Sequence, residues 1–215
     1  MNLVKEAKSR KGDIRISEIL SATLELLVDE GYSKISLAAV ARRLGMSSGN
    51  LQYYFPTRDS LLRSALGMQF EDQKGLWDKS RAQAGDDPWT QLEHLIAEDI
   101  RLCRSKKRKA LALEKWAYST RDAQAQKIVK SWFEWILDRH AEIVAELRPD
   151  LPKNDVYGLA VMVTSMLNGI WPFFGPNRLR QPAFENLEYA LNSSMRGLIL
   201  GYVSADCDRK EKKQK

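Results

Sequence analysis

Apolar residues recur along this chain at a spacing near 3.6 residues, and that spacing predicts helices almost throughout. Between residues 14 and 30 the positions Ile16, Ile19, Leu20, Thr23, Leu26 and Leu27 mark one face, and Gly31 follows where a helix-ending glycine is expected. Ser36 is suited to cap a second helix with inner residues Leu37, Val40, Ala41 and Leu44, closed by Gly45. Ser47 caps a third, anchored by Leu51 and Phe55 and stopped by Pro56. From Thr57 a long fourth helix runs to about Ala84, before the break GDDP at 85–88. Further helices are expected at about 88–104, 108–120, 122–147, 154–171 and 183–202. The last four are separated by Arg121-Asp122, by Pro149 and Pro152, and by a stretch holding Pro172, Gly175, Pro176 and Pro182. No alternating strand pattern and no internal repeat is sustained. The expected fold class is all-α, with about nine helices in an N-terminal three-helix domain and a larger C-terminal helical domain.

Two short helices joined by a glycine-containing turn, here residues 36–55, form the helix-turn-helix pattern. Leu51 and Phe55 lie four residues apart and point inward. The opposite face of the third helix then carries Ser48, Gly49, Asn50, Gln52 and Tyr53. These groups can approach DNA without bringing a negative charge to it. Gly49 lets the backbone come close, and Asn and Gln can pair bidentately with adenine. The second helix of such a pair can be short because only its first turns reach base edges in the major groove.

Charge sharpens this picture. The chain carries a formal net charge of +6, concentrated in patches. Residues 5–15 (KEAKSRKGDIR) hold five basic and two acidic residues, as does the tail 208–215 (DRKEKKQK), and Arg104 to Lys109 holds five basic residues in six. Basic ends of this kind are expected to be disordered arms, the N-terminal one touching nucleic acid and the C-terminal one serving solubility. The Arg104–Lys109 run is expected to be a solvated helix end favoured by its dipole. Two cysteines far apart, Cys103 and Cys207, fit a reducing compartment and no disulfide framework. The N-terminus has no apolar signal region, and no apolar run approaches the ~18 residues of a membrane span. A cytoplasmic protein with no membrane partner is expected.

An enzyme needs a constellation, and the sequence supplies none. The two histidines, His94 and His140, belong to no HExxH or ExxH motif, since Gln91 and Leu137 stand three residues before them. His140-Ala-Glu142 mimics the start of a deaminase zinc signature, but the PCxxC half is missing. There is no GxGxxG and no GxxxxGK[ST]. No enzyme activity, metal or cofactor is expected.

The segment DIRISEILSATLELLVDEGYSKISLAAVARRLGMSSGNLQYYFPTRDSLLRSAL closely resembles the N-terminal domain of the TetR family of transcriptional regulators. The resemblance implies a homodimer that sets each third helix in a major groove of a palindromic double-stranded operator. It implies base or phosphate contacts from Ser47, Ser48, Asn50, Gln52, Tyr53 and Tyr54, with Ser36, Arg43, Thr57 and Arg58 on the DNA backbone. Many members carry Tyr where this chain has Gln52 and His where it has Tyr54, so the docking mode is expected to carry over and the operator sequence is not.

The resemblance also implies that the remaining chain holds an apolar effector pocket, for which Trp116, Trp132, Phe133, Tyr157, Met162, Met166 and Trp171 are the candidates. An aromatic cage suits a cation, and a planar or acyl ligand fits equally well. The stretch YGLAVMVTSMLNGIWPFF is similar to the corresponding helix of the choline-responsive repressors of this family, without naming a ligand. A four-helix dimer interface is expected at Gly158, Ser165, Gly169, Leu187, Leu191, Ser194 and Leu198. The expected division is a DNA-binding domain at 1–58, an effector and dimerisation domain at 59–208 and a basic tail at 209–215. The function so implied is a repressor released by a small molecule. The alternative is a regulator without an effector, whose second domain serves only dimerisation or protein contacts.

Overall fold

The first helix begins earlier than its apolar face. In a computed structural model of the chain, which describes residues 3–174 and 185–204, α1 spans Leu3–Glu30. The basic N-terminal segment is therefore helical and not a disordered arm. The reason lies in its composition: Leu, Lys, Glu, Ala and Arg are good helix formers, and no proline interrupts them. The basic tail 209–215 and the expected start of the last helix at 183 lie outside the described residues.

A short 3-10 turn at Tyr32–Lys34 leads to α2 (Leu37–Arg43) and α3 (Ser48–Tyr54). Then come α4 (Arg58–Ala84), α5 (Pro88–Arg104), α6 (Lys106–Ser119), α7 (Ala123–Leu147) and α8 (Lys153–Gly169). A second 3-10 turn, Trp171–Phe174, follows α8, and α9 spans Leu187–Gly201. Among the described residues there is no strand.

The chain divides into two compact units, one of Met1–Lys74 with Lys106–Lys130 and the other of Gly75–Ser105 with Ser131–Lys215. In the first, α1 packs against α6 and α2, and α2 against α3. Its core gathers Ile19, Leu24 and Leu27 of α1, Val40 and Ala41 of α2, Leu51 of α3, Leu61, Leu62 and Leu66 of α4, and Leu111 and Tyr118 of α6. Ile16 is 37% exposed and does not join the inner face of α1. Thr23 is buried there because its hydroxyl donates to Ile19 O at 2.8 Å.

The run Arg104–Lys109 is split by the start of α6. Arg104 sits in the last turn of α5, where a cation suits the helix dipole. Lys107, Arg108 and Lys109 fall in the first turn of α6, where the dipole opposes them. That corrects the expectation of a single favoured helix end.

In the second unit α9 packs on α5 and α8, and the Trp171–Phe174 turn packs on α5 and α8. Leu92, Leu95, Ile96, Ile100 and Cys103 form the buried stripe of α5, and Val156, Leu159, Ala160, Val163, Thr164 and Leu167 that of α8. Lys153–Phe174 is long and apolar enough to cross a membrane by length and composition, contrary to the expectation of no such run. Its stripe of buried residues marks it instead as a helix packed within this unit.

Candidate nucleic-acid interface

Two serine caps and one glycine set the geometry of the reading helix. Ser36 Oγ accepts from Ala39 N–H at 3.1 Å and starts α2. Gly45, at φ +63, makes the turn, a conformation that L side chains rarely adopt. Ser47 Oγ accepts from Asn50 N–H at 3.2 Å and starts α3. Leu51 is fully buried and Phe55 is 7% exposed, so both anchor α3 as expected. The opposite face presents Ser48, Gly49, Asn50, Gln52 and Tyr53, all exposed, with Tyr53 at 83%. Tyr54 is half-buried against the core and meets Tyr53 edge-on, ring centroids 5.3 Å apart.

Gly49 has no intramolecular reason to lack a side chain. A Cβ placed there would meet nothing within 4 Å, and its φ is not positive. An approaching partner is what an absent side chain would serve. From Ile35 to Arg58 the chain has no acidic residue, so nothing on this face repels phosphate.

The four residues expected on the DNA backbone are placed differently from one another. Ser36 is exposed at the start of α2, its hydroxyl engaged as a cap. Thr57 is exposed, and its Oγ1 accepts from Ser60 N–H at 3.0 Å to start α4. Arg43 reaches back to α1, pairing with Asp29 at 2.8 Å and Glu25 at 3.6 Å. Arg58 turns inward. Its Nε donates to Ile35 O at 2.7 Å, its Nη2 to Tyr32 O at 2.7 Å and its Nη1 to Tyr32 Oη at 2.9 Å, and the guanidinium lies 4.1 Å from the Tyr32 ring centroid. With its donors engaged inside the fold, Arg58 braces the reading head, whereas an outward phosphate contact was expected.

The expected effector residues divide as sharply. Trp116 belongs to the first unit and is 47% exposed. Met162 is 50% exposed on the outer face of α8 and lines no interior. Tyr157, Met166 and Phe133 are half-buried, and Phe133 sits edge-on to buried Trp132, centroids 4.6 Å apart. Trp171 is buried and its Nε1–H donates to an Asp99 carboxylate oxygen at 3.1 Å. Burial pushes the Asp99 carboxyl up to about 7, against the opposing pull of the Trp171 hydrogen bond.

Neither Asp99 nor His140 is among the residues expected from sequence, although both carry a readable signal. Asp99 stands in register with Leu92, Leu95, Ile96 and Cys103 on the apolar stripe of α5, and His140 likewise lies four residues before Val144 on α7. An ionisable residue in an apolar register is the sign that periodicity alone passes over.

Of the residues expected at a dimer interface, Gly158, Ser165 and Gly169 on α8 and Ser194 on α9 are exposed, together with Val161, Tyr189 and Leu200. Leu187 and Leu198 are half-buried. Leu191 is 7% exposed and belongs to the inner stripe Leu191, Met195 and Ile199, so it packs within its own chain. The four-residue spacing of Leu191, Met195 and Ile199 is that of the inward face of α9.

A helix-turn-helix with an exposed, acid-free outer face has the form of a DNA-reading head. Residues 19–65 match the family described as bacterial regulatory proteins, tetR family. The chain is 26% identical to the HTH-type transcriptional regulator BetI 1 of Chromohalobacter salexigens, over 84% of its own length and 92% of that protein. It is similar in fold to a transcriptional regulator from Rhodococcus sp. Rha1, with TM-score 0.73 and 18% identity over 88% of this chain and 99% of that one. A regulator from Saccharomonospora viridis in complex with choline is similar too, with TM-score 0.71 and 18% identity over 86% and 96% of the two chains. Residues 19–65 therefore form a tetR-family DNA-binding domain, and the chain as a whole is similar to transcriptional regulators.

Proposed function

We propose that this protein is a cytoplasmic homodimeric repressor that sets α3 of each subunit into a palindromic operator and is released by a small organic cation bound in its second unit. The observation that carries the effector reading is the Asp99–Trp171 pair, a carboxylate raised by burial and held by an indole among apolar helices. A cation beside Asp99 would favour its ionised form, and aromatic faces attract quaternary ammonium groups. The likeness to a regulator crystallised with choline, and to relatives named BetI, supports that ligand class. The DNA-binding domain is assigned to 1–58, the effector and dimerisation domain to 59–208. Release follows as a population shift: the ligand favours a dimer whose reading heads no longer match the two half-sites. Residues of α4 belong to both units, which makes it the element to carry that shift.

The test is selection of bound fragments from sheared host genomic DNA at about 150 mM salt, where nonspecific phosphate binding is suppressed. A few promoters sharing an inverted repeat should be enriched, and millimolar choline should abolish the enrichment. Enrichment unaffected by choline, tetramethylammonium or cell extract would leave a regulator without an effector. No enrichment under any of these conditions would remove operator binding itself.

A further inference from the structure

The end of α4, the start of α5 and the end of α7 flank an open pocket that the effector reading does not use. Its volume is about 580 Å³, and its walls include Asp78 and Arg81 of α4, Gly85 and Asp86 of the break, Gln91 of α5 and Glu146 of α7. All of these belong to the second unit. Small-molecule sites are commonly about 300–1,000 Å³. The pocket shares no lining residue with the Asp99–Trp171 pair.

One wall holds a buried acceptor that the fold leaves unused. Gln91 is 4% exposed, and its Nε2 donates to Gly85 O at 2.7 Å. A carbonyl oxygen only accepts, so this bond fixes which way round the amide stands. Oε1, on the same amide carbon, is buried and has no hydrogen-bond partner. Buried polar groups are nearly always paired, so an acceptor in this wall calls for an N–H or O–H donor.

The charge around that acceptor selects the donor. Arg81 turns to α7, 3.0 Å from Glu142 and 3.6 Å from Glu146, so Glu146 is already partly neutralised. Asp78 and Asp86 are exposed and carry no ion pair among the described residues. Asp78 stands six residues before Ala84, roughly 9 Å along α4, and Asp86 follows two residues beyond that helix end. Among the described residues no group of three or more His, Cys, Asp or Glu is placed to hold a metal ion, which leaves an organic cation. A primary ammonium is charged at pH 7 and brings three donors. A quaternary ammonium has the charge and no donor, and a neutral polyol has donors and no charge. We propose that this pocket is a second small-molecule site that takes an aliphatic diamine. One ammonium donates to Gln91 Oε1, and Asp78 and Asp86 hold the two charges. The site is independent of the effector reading above.

Calorimetric titration of the full-length protein at low ionic strength tests this with diamines of three to eight carbons. Each is set against the monoamine and the bis-trimethylammonium of equal chain length. The best diamine should bind about tenfold or more tightly than either control. Asp78→Asn with Asp86→Asn should lower its affinity about tenfold, and Asp86→Asn alone, in the exposed break, about threefold. Asp87, which caps α5, is left intact. Gln91→Met should weaken the diamine about fivefold or more and leave the bis-trimethylammonium within about twofold. Thermal melting reports whether each variant is folded. A diamine that binds no more tightly than its controls would overturn the inference and leave an acidic surface with a trapped water on Gln91. Diamine binding that survives the aspartate substitutions, or a folded Gln91→Met, would overturn it equally by placing the amine elsewhere. Operator release by a quaternary ammonium is read separately by the genomic selection and stands or falls without this site.

Discussion

At the scale of single residues, Gly49 and Asp99 each have a feature that the stability of the fold does not require. Gly49 sits in α3 with open space where a side chain would be. Gly49→Ala should fold at least as stably as the parent, gaining up to about 1 kcal/mol from helix propensity. Operator binding should weaken by about tenfold or more, roughly 1.4 kcal/mol, because the methyl group holds the backbone off the DNA. A binding isotherm on the selected operator that is unchanged by the substitution would remove Gly49 from the interface.

Asp99 has the opposite character, a charge placed where burial disfavours it. Its carboxyl titrates near 7 in the folded chain against an ordinary value of 3.8. The folded state therefore holds a proton that the unfolded chain has already released. The contribution of this group to stability is present below about pH 4, is lost as pH rises toward 7, and changes no further above that. Cation affinity should run the other way, rising with pH through 7 as the carboxylate forms. Asp99→Asn keeps an acceptor for Trp171 and should flatten both profiles, as urea unfolding and calorimetry between pH 5 and 8 would record. An unaltered slope in the variant would place the titration elsewhere.

At the scale of elements, the start of α4 is locked to the turn that precedes α2. The lock is Arg58, whose three nitrogens serve Ile35 O, Tyr32 O and Tyr32 Oη. Glu114 of α6 accepts from Tyr32 N–H at 3.3 Å, so the same turn is held from α6 as well. Arg58→Ala should lower stability by about 1.5–3 kcal/mol, the range for hydrogen bonds to a charged group. Arg58→Lys should recover little of it, because an ammonium cannot reproduce the planar fork. Denaturant unfolding measures this directly. A variant of unchanged stability with weakened DNA binding would instead return Arg58 to the phosphate contacts.

At the scale of the whole molecule, the proposed dimer rests on the outward sides of α8 and α9. Exposed Met162 and Leu200 lie on the same two helices as exposed Gly158, Ser165 and Ser194, small residues that let helices approach closely. Met162→Glu with Leu200→Glu should yield monomers in sedimentation at micromolar concentration, with the helical signal intact. Leu191 is unsuited to this purpose, since an acid there would unfold the chain from inside. A dimer that survives both substitutions would place the interface on another face.

Much of this protein was legible in one dimension. Ser36, Ser47 and Thr57 start their helices, Gly31 and Gly45 adopt positive φ, and Leu51 and Phe55 anchor the reading helix, all as their spacing predicts. Such features are local: a cap or a turn is decided within four residues, and a helix face within two turns. By itself the sequence therefore determined the helices, the helix-turn-helix and its reading face. The direction in which long side chains turn was decided only by tertiary structure. Arg58 and Arg43 are flexible cations that could have faced phosphate, and they turned instead to partners 26 and 14 residues away in the chain. The pairings of Asp99 with Trp171 and His140 with Thr164 span 72 and 24 residues, so no window of the sequence contains both members of either pair. Packing brings these residues together, and packing also shifts their protonation, because a carboxyl or an imidazole loses charge only once the surrounding helices have excluded water from it.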